Sequence, residues 1–67
     1  MTYTVHVGYD ETNGTYFVMT SDIEGLHAET RSFEDLVDVT QDALPDLVGE
    51  NAIGARITFQ REVAYAG

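Results

Sequence analysis

The feature that most restricts the fold of this chain is a single change of hydrophobic period at Ser32. Before that residue, apolar and polar side chains alternate, as in Tyr3, Val5 and Val7. After it, from Phe33 to Val48, apolar side chains recur at every third or fourth position. Alternation is typical of a half-buried strand, and the longer period is typical of an amphipathic helix. The chain is therefore predicted to form strands first and then one helix.

The N-terminal half is predicted to contain three strands joined by two turns. The first strand ends at Tyr9, residues 10–14 form a turn that ends in Asn-Gly, and residues 15–21 form the second strand. Residues 22–25 form the next turn, and alternation in residues 26–31 predicts a short third strand.

The register of the first hairpin follows from its apolar side chains. We expect Tyr9 to lie opposite Phe17 and Val7 to lie opposite Met19, which places four apolar side chains on one face. This register implies a loop longer than two residues. It also places Tyr16 on the sheet face away from the helix.

The predicted helix has recognisable ends. Ser32 is a suitable N-cap, and Gly49 is a suitable terminating residue. Pro45 removes one backbone donor, but the apolar period continues to Val48, so a kink is favoured over a stop. A loop over residues 50–54 follows, and then a fourth strand marked by Ile57, Phe59 and Val63, with a break expected near Gln60 and Arg61.

These elements predict an α+β fold of order β-β-β-α-β. The helix would cross over to a last strand parallel to the first, with spatial strand order 3-2-1-4. The result is a four-stranded sheet with one helix on one face. The other face and both edge strands are then open to partners.

The size and composition restrict the class of protein. At 67 residues with no Cys, the chain is predicted to be a single domain over residues 1–67 without disulfides, and packing between copies is the expected additional source of stability. We therefore expect a homo-oligomer. The alternating N-terminus has no basic leader and no apolar stretch approaches a membrane span, which predicts a cytoplasmic protein without membrane association.

The net charge is the strongest compositional signal. Twelve acidic residues stand against three Arg, which gives a formal net charge of −9. The protein is not expected to bind nucleic acid by itself, because phosphate binding requires a surface of cations that three scattered Arg residues do not form. Two interpretations remain open: adaptation of the surface to solubility or high salt, and complementarity to a basic protein.

Two surfaces are candidate partner-binding sites. The first is the predicted outer face of the helix, with Asp35, Asp38, Asp42 and Asp46. The second is the sheet face away from the helix, where Tyr16 and Val18 would form an apolar and aromatic patch.

No pattern in the sequence predicts catalysis, a metal or a cofactor. Nuclease chemistry of the RNase H kind needs acids in the middle of the first strand, where Thr4, His6 and Gly8 stand instead. His6 and His27 lack the spacing of a zinc motif, so we interpret them as ordinary histidines and expect the protein not to be an enzyme.

Several short motifs occur in turns, caps and core positions of the predicted elements. They are the run Asp22-Ile23-Glu24-Gly25-Leu26, then Glu29-Thr30, Ser32, Glu34 and Leu36, and then Pro45-Asp46-Leu47. In these residues the chain resembles the HicB-like antitoxin superfamily, and it is most similar to the short stand-alone members of unassigned function. The similarity extends from about Val5 to Val48.

The resemblance implies a truncated RNase H-like β-β-β-α-β domain. In complete HicB antitoxins this domain blocks HicA, a small basic ribonuclease, and a further C-terminal segment binds DNA. This chain ends after the predicted fourth strand, so no separate DNA-binding domain is expected. Two hypotheses follow: an antitoxin-type protein that neutralises a small basic HicA-like toxin, and a self-associating stand-alone protein without a toxin.

Overall fold

The computed structural model describes residues 1–61, which form one mixed sheet and one helix. The elements are β1 (Thr2–Asp10), β2 (Thr15–Ser21), β3 (Glu29–Thr30), α1 (Phe33–Val48), a short 3-10 helix (Gly49–Ala52) and β4 (Arg56–Arg61). The strand order is β3-β2-β1-β4, with β1 antiparallel to β2 and parallel to β4. The predicted α+β class, element order and spatial strand order are confirmed.

The hydrophobic core lies between the helix and one face of the sheet. Val5 and Leu36 are fully buried, and Tyr3, Val7 and Leu44 are nearly so. The alternation of β1 supplies the sheet side of this core, and the helical period supplies the other side. The remaining buried apolar residues are Ile23 and Leu26, which precede β3.

Helix α1 begins and ends at the predicted residues. The Ser32 hydroxyl accepts a hydrogen bond of 3.0 Å from the Asp35 backbone N–H, which satisfies a donor that has no partner within the helix. The helix continues through Pro45 to Val48. Gly49 ends it with a φ of 62°, a left-handed conformation that glycine adopts without a side-chain clash.

Thr40 is the one buried polar side chain among the residues that the structure describes. Its hydroxyl donates a hydrogen bond of 2.8 Å to the Leu36 carbonyl, one helical turn earlier. This bond removes the cost of burying an unpaired hydroxyl. A threonine can therefore occupy a core position of the helix, where the sequence period places it.

The predicted register of the β1–β2 hairpin is wrong by one residue. Tyr9 lies opposite Tyr16, and Val7 lies opposite Val18. The register then shifts between His6 and Val7, so Met19 is the extra residue of a β-bulge. The expectation of a loop longer than two residues is confirmed, because residues 11–14 connect the last strand pair.

The ends of the sheet also differ from the prediction. Strand β3 comprises only Glu29–Thr30, because the chain before it turns inward at Ile23 and Leu26 and buries both side chains. Strand β4 comprises Arg56–Arg61, so it is not interrupted before Gln60 or Arg61, and Arg61 is the last of the described residues. Val63, which was assigned to the same strand, lies outside the described residues.

Candidate functional site

The outer surface of α1 carries a stripe of carboxylates that we call the acidic helix face: Asp35, Asp38, Asp42 and Asp46. All four residues are exposed. At about 3.6 residues per turn they fall within about 80° around the helix axis and extend about 17 Å along it. Leu36, Thr40 and Leu44 occupy the opposite, buried side. The predicted exposure of this face is confirmed.

The carboxylates of the acidic helix face differ from those in the turns. Asp10 accepts hydrogen bonds from the backbone N–H groups of Thr12 and Asn13, at 2.9 and 3.3 Å. Asp22 accepts one of 3.0 Å from the Thr4 N–H. Within residues 1–61, the only other carboxylate that accepts a hydrogen bond is that of Glu29. The helix carboxylates therefore keep their full acceptor capacity for a partner.

The acidic helix face has no neutralising charge on its own element. Helix α1 contains five acids and no Lys, Arg or His. Asp38, Asp42 and Asp46 follow one another at four-residue intervals. The Cβ atoms of consecutive members are therefore about 5–6 Å apart, and their like charges are neighbours on the helix surface. This arrangement concentrates negative potential on one side of the molecule.

The structure places Tyr16 and Val18 on the helix side of the sheet, which corrects their predicted position on the opposite face. Both are half-buried and pack against the core. The Tyr16 ring contacts Tyr9 and Phe33 at centroid distances of 4.9 and 6.2 Å. Whether either residue binds a partner stays untested, but neither contributes to a patch on the far face.

An arginine completes the aromatic cluster around Tyr16. The Arg61 guanidinium lies 5.2 Å from the ring centroids of both Tyr16 and Phe33, and it donates a hydrogen bond of 3.3 Å to the Tyr16 hydroxyl. These contacts join the end of β4 to β2 and to the start of α1. The sequence interpretation missed this cluster because its members are distant in the chain.

On the opposite side of the sheet, strand β2 presents Phe17 and Met19 in place of the predicted Tyr16 and Val18. We call this surface the open sheet face: Thr4, His6, Gly8, Phe17, Met19, Thr20, Thr58 and Gln60. A Cβ on Gly8 would lie 2.6 Å from the Phe17 ring and 2.9 Å from Met19, so these two side chains lie across the strand at Gly8. A glycine within a strand signals such a close approach, and this signal was present in the sequence.

A further apolar surface lies beyond the C-terminal end of α1. Pro45, Gly49, Glu50, Ala52 and Ile53 line an open depression there. Ile53 is 86% exposed. This surface is separate from the acidic helix face and from the open sheet face.

The described part of the chain contains no group of three or more His, Cys, Asp and Glu side chains placed to hold a metal ion. The central positions of β1 that face away from the helix are Thr4, His6 and Gly8, and Asp10 shares their side only at the end of the strand. This strand therefore projects no carboxylate from its centre. Within residues 1–61 there is no helix of the length and apolarity needed to cross a membrane.

Residues 2–64 match the family model described as a domain of unknown function, DUF1902. The chain belongs to DUF1902. The match includes all four strands that the structure describes in this DUF1902 domain, together with helix α1. No curated protein and no solved structure matches the chain. The description of DUF1902 assigns no activity, and the acidic helix face and the open sheet face are the surfaces from which the function of this domain is inferred.

Proposed function

We propose that this protein is a non-catalytic, HicB-like antitoxin-type binding protein that acts in the cytoplasm and neutralises a small basic HicA-like toxin. The observation that carries the proposal is the acidic helix face, in which four exposed carboxylates lie on one side of α1 without a cation on the helix. A basic toxin is the partner class that such a surface attracts most strongly.

The fold supports the same family assignment. The order β-β-β-α-β is the one that the HicB resemblance implies for a truncated RNase H-like domain. The residues that carry the resemblance also have clear structural roles, since Ser32 caps the helix and Leu36 is fully buried. The membership in DUF1902 is compatible with a short stand-alone member of that superfamily.

The geometry of the acidic helix face suits a basic helix or loop. A partner with one Lys or Arg per helical turn would meet one carboxylate per turn over about 17 Å. The uncompensated charge would also accelerate the encounter, because long-range attraction raises association rates at low salt. The helix packs on the sheet through Leu36 and Leu44, so the carboxylates are presented on a fixed scaffold.

The test is binding of a purified small basic ribonuclease of HicA type to the protein, together with inhibition of its RNA cleavage. We expect the variant with Asp35, Asp38, Asp42 and Asp46 all replaced by Asn to stay folded and to lose both binding and inhibition. Capture of a basic protein from a lysate should be lost in the same variant.

A matched control distinguishes the effect of the acidic helix face on binding from the effect of the net charge of the protein. Replacing Glu11, Glu24, Glu29 and Glu50 by Gln removes the same four negative charges from a net charge of −9, but outside the acidic helix face. We expect this variant to retain most of the binding. Unchanged binding by the Asp-to-Asn variant would remove the acidic helix face as the partner site.

The alternative is a stand-alone protein that associates with itself and has no toxin partner. The observation that favours it is the open sheet face, which has no second layer over Phe17 and Met19 among the described residues. Failure of the purified protein to bind any HicA-type ribonuclease, with self-association intact, would favour this alternative.

The absence of catalytic activity is part of the proposal. We expect the purified protein to leave RNA and RNA–DNA hybrids intact when divalent metal is added, because β1 projects no carboxylate from its centre. Metal-dependent cleavage that is lost in Asp10→Asn would contradict this expectation.

A further inference from the structure

We propose that the open sheet face is the surface through which two copies of this chain associate, sheet against sheet, as a two-fold symmetric dimer. This surface lies on the opposite side of the molecule from the acidic helix face. The inference therefore goes beyond the proposed function, and a dimer of this kind leaves both acidic helix faces accessible to a basic partner.

The distribution of negative charge favours this surface for contact between two identical chains. Each copy carries a formal net charge of −9, so two copies repel each other least where they meet through a surface with few free carboxylates. The eight residues of the open sheet face include no carboxylate. Two acids border these residues on the same side of the sheet. Glu29 of the edge strand β3 lies opposite Phe17, and its carboxylate accepts a hydrogen bond from the Thr15 hydroxyl. Asp10 follows Gly8 by two positions at the end of β1, and its carboxylate accepts hydrogen bonds from the Thr12 and Asn13 backbone N–H groups.

The shape of the surface also suits a symmetric contact. Phe17 and Met19 lie across Gly8, over β1 and β2, which are the two central strands of the sheet. A two-fold axis that runs along these strands would bring Phe17 and Met19 of both copies together at the centre of the interface. The surrounding Thr and Gln side chains are short or flexible enough for two sheets to approach to about 10 Å.

Residues 1–61 place no layer of their own over this side of the sheet. All the buried apolar residues in this range belong to one cluster, and its sheet strands contribute through Tyr3, Val5 and Val7, which alternate with the open sheet face. Sheets in stable domains bury their apolar faces against another layer. In a chain of this length a second copy supplies that layer and adds buried area that one small core lacks.

The experiment is sedimentation of the whole chain over a range of concentrations, with three variants. Met19 is 47% exposed, and Met19→Glu places a carboxylate at the centre of the proposed interface. We expect this variant to sediment at 7.4 kDa, with a dissociation constant at least about tenfold higher than that of the unaltered chain, because an unpaired buried charge is unfavourable. Thr58→Glu on β4 tests the same surface independently, and circular dichroism verifies the fold of each variant.

The matched control is Ile53→Glu, which places a carboxylate on the exposed apolar surface beyond α1. We expect it to dimerise like the unaltered chain. The inference is overturned if the unaltered chain stays at 7.4 kDa at every concentration. It is also overturned if both folded open-face variants dimerise normally, or if Ile53→Glu alone abolishes the dimer.

The salt dependence of dimerisation and that of toxin binding are expected to be opposite, so the two proposals can fail independently. The Debye length falls from about 10 Å at 0.1 M salt to about 3 Å at 1 M, so added salt screens the repulsion between two acidic copies and should tighten the dimer. Binding of a basic toxin should weaken over the same range. A dimer that dissociates as salt is added would indicate an ionic interface and contradict the inference.

Discussion

The acidic helix face and the open sheet face lie on opposite sides of one small domain and differ in almost every physical property. The first carries four exposed carboxylates on a single helix, and the second carries none among its eight residues. Five of the chain's acids lie on α1, and the turns hold Asp10 and Asp22 in hydrogen bonds to the backbone. On the two proposals above, the acidic helix face would bind a basic partner and the open sheet face would bind a second copy of the chain.

The largest effect on stability is expected from a substitution in the hydrophobic core, which lies between the two surfaces. Leu36 is fully buried where α1 meets the sheet, and Leu36→Ala should reduce the free energy of unfolding by about 2–5 kcal/mol. Since domains are stable by only about 0.05–0.15 kcal/mol per residue, this loss is a large part of the total stability of so short a chain. Urea unfolding measures the loss. We expect toxin binding and dimerisation to be lost together, because both need the folded core. A variant that loses one and keeps the other would contradict this expectation.

The next effect is confined to the open sheet face. Gly8→Val should reduce the free energy of unfolding by about 1–3 kcal/mol, because the added side chain overlaps Phe17 and Met19. It should also weaken the dimer, while toxin binding per folded molecule stays unchanged. Urea unfolding and sedimentation measure the two effects. Thr58→Val on the same face is the control and should change stability by less than about 0.5 kcal/mol.

A smaller effect is expected at the start of the acidic helix face. Ser32→Ala removes the hydroxyl that caps the helix at Asp35 and should reduce the free energy of unfolding by about 1 kcal/mol. Ser32→Asp preserves an acceptor and should remain within a few tenths of a kcal/mol of the unaltered chain, on the order of the difference between good caps. Thermal unfolding compares the two. Equal losses would show that the hydroxyl is not the stabilising group.

The smallest effect on stability is expected from replacing single carboxylates of the acidic helix face. Whether the free energy of unfolding rises or falls depends on the position of the carboxylate in the helix. Asp42 has acidic neighbours four residues away on both sides, so Asp42→Asn should raise the free energy of unfolding by about 0.2–1 kcal/mol at low salt. Asp35→Asn in the first turn should lower it instead, because the helix dipole favours an acid there. Both changes should diminish at high salt. Chemical unfolding at two salt concentrations tests the opposite signs.

The local elements were predictable because their signals are local. Ser32, Pro45 and Gly49 each act on backbone groups within four residues of themselves, so the limits of α1 follow from the sequence. The exposure of Asp35, Asp38, Asp42 and Asp46 follows from the same helical period. The register of β2 was not predictable in this way, because residues 16–19 are all apolar and present an apolar side chain to each face.

The class of fold, the strand order, the helix and the carboxylates on its outer face could all be derived from the amino-acid sequence, since they depend on hydrophobic period, caps and connection lengths. The side of the sheet that Tyr16 and Phe17 occupy depends instead on tertiary packing. Tyr16 packs against Phe33 and Arg61, and Phe17 occupies the space that Gly8 leaves open. These contacts join residues that are distant along the chain, and the packing energy of both faces together selects the register.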